Sequence, residues 1–197
     1  MQLAKTAQFP VDKIFTIDGS KRSSHSNAFF TGIGKFRHIV LYDTLIEQLS
    51  EDELAAVLAH EIGHYKRHHI RTSLIIEAAL LLIGLIIIYY LSNASWFLSS
   101  FGFSTTHTFV PLVLIFTTAI EGITFWIEPI MNLLSRKHEY EADRFAREIM
   151  GTPELLISSL QKLHIKNLSN LSPHPLFSAF YYSHPTLSER INALRNL

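Results

Sequence analysis

Two long apolar runs dominate the chain. Leu74–Leu91 (LIIEAALLLIGLIIIYYL) and Phe109–Ile127 (FVPLVLIFTTAIEGITFWI) are 18 and 19 residues long. A helix needs ~20 apolar residues to cross a bilayer core. Each run carries one carboxylate, Glu77 or Glu121. A chain of 197 residues can hardly enclose two helices that are apolar on every face, so both are predicted to span. Tyr89, Tyr90, Trp96 and Trp126 fall near their ends, where interfacial aromatics sit. The connector Ser92–His107 has no Lys or Arg, whereas the outer flanks carry Lys66, Arg67, Arg71, Arg136 and Lys137. The positive-inside rule therefore predicts a hairpin whose outer flanks, and the polar segments beyond them, face the cytoplasm. Met1–Lys13 lacks the apolar core of a secretory signal.

Shorter patterns organise the polar segments. Ile14–Asp18, Ala28–Thr31 and His38–Tyr42 read as strands separated by Gly-containing turns, which predicts a small antiparallel meander. Ser50-Glu51-Asp52-Glu53 is a capping box. It opens a helix with Leu54, Val57, Leu58 and Ile62 on one face, expected to run on into the first span. Beyond the apolar runs, Ser135–Met150 is a second helical stretch closed by Gly151, and Thr152-Pro153 marks another helix start. Leu168–Ser183 reads as loop, and Pro185 as the start of a terminal helix through Leu194.

Composition narrows the function. Seventeen basic and 17 acidic residues cancel, which argues against a nucleic-acid partner bound through a basic field. Cysteine is absent, excluding disulfides, thiolate metal sites and cysteine nucleophiles.

The chemistry lies in the capped helix. His60-Glu61-Ile62-Gly63-His64 is HExxH. Helical spacing of four puts both imidazoles on one face, able to share a zinc ion, and Glu61 beside it to take a proton from the attacking water. The bland alternative is a solvated helix with two ordinary histidines. His60 and His64 share the register of Val57, and a partly buried face argues against that reading. A catalytic zinc takes three protein ligands, and the third should lie on another element. Glu139 and Asp143 are four apart on the second helix, so Glu139 can ligate while Asp143 accepts from a ligand histidine. Glu141 points elsewhere and is expected to be solvated. His138 is a weaker ligand candidate, about 100° from Glu139 around the helix. His68 and His69 are expected at the surface or at headgroup level.

This combination resembles the type I CAAX prenyl endopeptidase family of integral-membrane zinc metalloproteases. The resemblance begins in DGSKRSSHSNAFFTGIGKFRHIVLYDTL (Asp18–Leu45) and continues through LSEDELAAVLAHEIGHYKRHH, SRKHEYEADRFA and YYSHPTLSERINAL, in order along nearly the whole chain. It implies His60, His64 and Glu139 as ligands of one zinc ion, Glu61 as catalytic base and Asp143 as the group orienting a ligand. It also implies His184 as donor to the developing oxyanion, Arg190 as a residue beside the site that stabilises the same charge or pairs with an acid, and Asn27 as a strand residue holding the substrate backbone. Read from residues alone, His184 before Pro185 is a helix cap and Asn27 a turn residue.

The implied fold is mainly α with a small antiparallel β-meander (α+β). It is a zincin-like metalloprotease domain over 1–197, interrupted by a two-helix transmembrane hairpin. Residues 1–72 carry the strands and HExxH helix, 73–128 the hairpin, and 129–197 the third ligand and substrate-site helices. The implied activity is endopeptidase cleavage, with removal of the C-terminal tripeptide of prenylated CAAX proteins as the substrate class, in a bacterial inner membrane or an ER membrane. Related heat-shock metalloproteases share HExxH and the EADxxA ending but lack the SHSNAFFTG and YSHPTLxER stretches. A quality-control protease of that kind and an inactive membrane adaptor are the alternatives. One departure stands out: family members carry several more membrane helices before the Asp18 segment. Either the chain is a fragment of a longer product, or it is a minimal version that recruits additional membrane helices from another chain; the other expected partners are a peptide or prenylated protein and membrane lipid.

Overall fold

The computed structural model describes residues 13–21, 28–31, 38–104, 109–166, 170 and 173–197. Asn27 lies outside them. The described parts form two compact units, one from Met1–His69 with Asn132–Leu197 and one from Ile70–Met131.

The first unit opens with β1 (Lys13–Ile17), β2 (Ala28–Thr31) and β3 (His38–Tyr42), in the order β1-β3-β2. The expected antiparallel meander is corrected here. β2 pairs antiparallel with β3, but β1 pairs parallel with it, Lys13 opposite His38 and Ile17 opposite Tyr42. One side chain accounts for this. Asp43, directly after β3, accepts from the backbone N–H of Gly19 (2.9 Å) and Ser20 (3.0 Å), directly after β1. It also accepts from Ser20 Oγ at 2.6 Å, and these bonds pin both strand ends at one end of the sheet. The Ser20 hydroxyl foremost holds the Asp43 carboxyl below its ordinary pKa. As the central strand, β3 buries Ile39, Val40 and Leu41 in succession, as a strand covered on both faces should.

Helix α1 (Asp43–Gln48) leads to α2 (Glu51–Lys66). The capping box is formed: Ser50 N–H donates to Glu53 Oε2 (2.8 Å) and Glu53 N–H to Ser50 Oγ (3.3 Å). Buried Glu53 has a second use, accepting from Ser158 Oγ (2.6 Å) and Lys162 Nζ (2.7 Å) on α6 (Glu154–Lys166). Burial opposes its charge, but these donors outweigh it and lower the carboxyl to a pKa of about 2. Two apolar clusters clamp α2. Ala28, Ile39, Leu41, Leu45, Leu49 and Val57 form one; Ala56, Ala59, Ala146, Leu156, Ile157 and Leu194 form the other.

Two expected helix boundaries change. Helix α2 does not run on into the first apolar run. It stops at Lys66, His68 adopts φ 59°, and α3 (His69–Ser92) starts afresh. Conversely, the second apolar run and Ser135–Met150 are one 42-residue helix, α5 (Phe109–Met150). Pro129 lies inside it: a proline removes one backbone donor, and here that loss does not end the helix. Gly151 closes α5 at φ 72°, its N–H donating to Arg147 O at 2.9 Å, as a left-handed C-terminal cap requires.

The segment expected as loop between residues 168 and 183 contains α7 (Pro175–Tyr181). Proline suits a first helical turn, and His174 Nδ1 caps it by accepting from Leu176 N–H. Two α5 side chains hold its end, Asn132 donating to Phe180 O (2.9 Å) and Arg136 to Tyr182 O (2.6 Å). The terminal helix α8 (Leu187–Asn196) begins later than expected. Its cap is Thr186 with Glu189 rather than Pro185.

In the second unit, α3 and the first half of α5 are long and apolar enough to cross a membrane. Their large side chains, Leu81, Tyr90, Phe109 and Trp126 among them, are exposed. The short α4 (Ser95–Ser100) buries Phe97 and Leu98 with Ile115 of α5.

Candidate metal centre

The site forms where α2 meets the polar half of α5. Gly63 allows the approach: a Cβ there would lie 3.0 Å from Ala142 Cα and 3.1 Å from Ala142 O. With the backbones that close, His60 and His64 from α2 face Glu139 from α5.

His60 Nε2 and His64 Nε2 are 3.1 Å apart. Glu139 Oε1 is 3.2 Å from His64 Nε2, and Oε2 is 3.6 Å from His60 Nε2. A tetrahedral zinc ion with bonds of about 2.0–2.1 Å places its ligand atoms about 3.3 Å apart. Two imidazoles and a carboxylate are also a donor set that catalytic zinc uses. The residues present therefore fit a zinc ion. Among the described residues, His60, His64 and Glu139 are the one group of three donors close enough to share a metal, within 4.8 Å of one another.

The surrounding charges are ordered. Asp143 Oδ1 lies 2.9 Å from His60 Nδ1. Arg190 on α8 grips Asp143 with two bonds, Nη2 to Oδ1 (2.5 Å) and Nε to Oδ2 (2.8 Å), and reaches Glu139 Oε2 at 3.3 Å. Of the two roles the resemblance left open for Arg190, the contact made is the pairing with an acid. His184 Nδ1 sits 3.2 Å from Glu139 Oε1, with its side chain 67% exposed. Burial opposes the charge of Glu139, but hydrogen bonds from His184 and His64 and the fields of His60 and Arg190 outweigh it and hold the carboxyl below its ordinary range. Asp143 is likewise buried and likewise held low, chiefly by Arg190. The bond to Glu139 raises His184. Half-buried Glu61 behaves in the opposite way, because burial outweighs the neighbouring cations and raises its carboxyl, the direction that suits a general base.

Two residues, His69 and Glu141, are not where the sequence led us to expect them. His69 is no surface residue: it is 4% exposed, with Nδ1 3.0 Å from His64 Nδ1 and Nε2 3.0 Å from Glu141 Oε2. Glu141 is thus engaged rather than merely solvated. His138 is buried and stacks on His69, ring centroids 4.1 Å apart and planes 9° from parallel, away from the three-donor group. Burial lowers the pKa of both His69 and His138. No local sequence signal marks this cluster, because the helix break at His68 creates it.

Fold and site together define a helical domain with a three-donor centre that fits zinc, and the family model for Peptidase family M48 matches residues 1–197; the chain belongs to that family. It is similar to CAAX prenyl protease 1 of Saccharomyces cerevisiae, 42% identical over 98% of this chain and 46% of that protein. The CAAX prenyl protease 1 homologue of Oryza sativa subsp. japonica is 40% identical over 99% of this chain and 46% of its own length. The human homologue is 32% identical over 99% and 49%. The crystal structure of S. mikatae Ste24p superposes with a TM-score of 0.86 at 40% identity, covering 98% of this chain and 48% of that one. The chain thus spans about half the length of the relatives it matches.

Proposed function

We propose that this chain carries the centre of a zinc-dependent membrane endopeptidase that removes the C-terminal tripeptide of prenylated CAAX proteins. The observation that carries the reading is the convergence of His60 and His64 from α2 with Glu139 from α5 at tetrahedral ligand spacing. Similarity to proteins named CAAX prenyl proteases supports the substrate class. One zinc ion per chain, held by those three residues, would supply Lewis acidity to polarise the scissile carbonyl and acidify the attacking water.

The chain's own groups do the rest. Glu61 takes the proton from the water and returns it to the leaving amine. Asp143, itself held by Arg190, fixes the tautomer of His60 so that Nε2 stays available to the metal. His184, mostly exposed beside Glu139, donates to the oxyanion as the carbonyl becomes tetrahedral. An extended substrate pairs with the sheet edge at β2, beside Asn27. Helix α3 and the apolar half of α5 form the transmembrane hairpin, and the basic flanks support a cytoplasmic orientation of the site. Glu77 and Glu121 are exposed and costly in lipid, and additional membrane helices would cover them.

The test is Glu61→Gln on a farnesylated CAAX peptide and its unprenylated twin. Wild type should cleave only the first. The variant should lose about 10²–10⁴-fold in rate while keeping one equivalent of zinc. Retained turnover in Glu61→Gln would refute the assigned base. Equal cleavage of both peptides would favour a quality-control protease, and bound zinc without turnover a membrane adaptor.

A further inference from the structure

His64 has a hydrogen-bonding neighbour of a different kind from that of His60. Asp143 meets the Nδ1 of His60 directly at 2.9 Å. At His64 the corresponding Nδ1 meets a second imidazole, His69, at 3.0 Å, and the carboxylate stands one ring further out. We propose that Glu141 and His69 act as a relay that positions His64 for metal binding. The inference rests on the reading of His60, His64 and Glu139 as a metal centre.

Hydrogen-bond direction orders the relay. If His64 offers the lone pair of Nε2 to the metal, its proton sits on Nδ1. His69 Nδ1 must then accept, so the His69 proton sits on Nε2. That N–H needs an acceptor, and Glu141 Oε2 lies 3.0 Å away. An ionised carboxylate only accepts, so the series has one consistent direction, from the metal outward to Glu141. Both nitrogens of a ring 4% exposed are thereby satisfied. Stacked 4.1 Å away, His138 fixes the plane of His69.

Backbone geometry delivers the ring. His68 sits at φ 59°, a left-handed conformation that is unfavourable for a non-glycine residue. Continuous helix through residue 69 would turn His69 about 140° around the axis from His64, since five residues at 100° each make 500°. The break returns the ring to His64. Partners that orient metal-bound histidines typically contribute 10–100-fold to metal affinity.

The experiment measures zinc affinity of the full chain in detergent by chelator competition, with the visible spectrum of the cobalt-substituted protein as a geometric readout. His69→Phe keeps a buried ring against His138 but removes the acceptor, and should weaken zinc about 10–100-fold and shift the cobalt bands. His69→Asn places Oδ1 where Nδ1 was and should recover most of that loss. Glu141→Gln, at a half-exposed position that tolerates change, should weaken zinc by about 3–10-fold with the melting midpoint of the metal-free chain unchanged. Zinc affinity of His69→Phe within about two-fold of wild type, or His69→Asn no better than His69→Phe, would overturn the relay while leaving the metal centre standing. Wild type whose zinc binding is indifferent to His60→Ala would remove the centre and the relay together.

Discussion

Gly63 sets how close the two ligand-bearing helices come, and Gly63→Ala tests that directly. The new methyl would stand 3.0 Å from Ala142 Cα, 3.1 Å from Ala142 O and 3.2 Å from Phe145 Cβ. Carbon pairs settle at about 3.5–4.0 Å, so α5 must retreat by about 0.5 Å. Two energies compete. Replacing a mid-helix glycine gains about 1 kcal/mol of helix propensity, and overpacking against backbone costs about 1–3 kcal/mol. The net is a destabilisation of about 0–2 kcal/mol, a few degrees of melting midpoint at this chain length. The larger effect falls on the metal centre. Glu139 is one turn from Ala142 and moves with it, and sites tolerate only about 0.5 Å of misplacement. Zinc affinity should fall about ten-fold by chelator competition, more for Gly63→Val. Gly84 supplies the control, because a Cβ there would meet nothing within 4 Å. Gly84→Ala should leave zinc affinity unchanged. Gly63→Ala binding zinc within about two-fold of wild type would show that helix approach does not set the ligand spacing.

Arg190→Met should leave buried Asp143 without its cation; breaking a buried pair costs about 3–5 kcal/mol. A marked fall in the melting midpoint of the metal-free chain is expected, and an unchanged midpoint would contradict the ion pair. Glu53 gives a pH signature. Its carboxyl is lowered from 4.5 to about 2 in the folded chain, so its stabilisation is complete above about pH 4.5 and lost as pH falls toward 2. Wild type should therefore lose stability more steeply than Glu53→Gln across that window, and parallel melting-versus-pH curves would count against it. Ser50→Ala removes the other half of the capping box and should cost about 1 kcal/mol in thermal unfolding, with zinc binding intact.

What the sequence alone determined is short-range. The capping box, the two imidazoles on one helix face, the carboxylates four apart on another and the apolar runs all follow from helical period and local chemistry within a few residues. Decisions over longer range needed the tertiary structure. The parallel pairing of β1 with β3 depends on Asp43 bonding a turn 24 residues back. Asp143 meets His60 across 83 residues of sequence, and Arg190 reaches Asp143 across 47. Helix α7 hid in a proline-bearing segment because its support is Asn132 and Arg136, 48 and 46 residues away. His69 looked like a surface residue because uninterrupted helical periodicity would turn it away from His64. A single backbone dihedral at His68 redirects it, and φ at a non-glycine residue is set by the packing around it, not by the residues beside it in the chain.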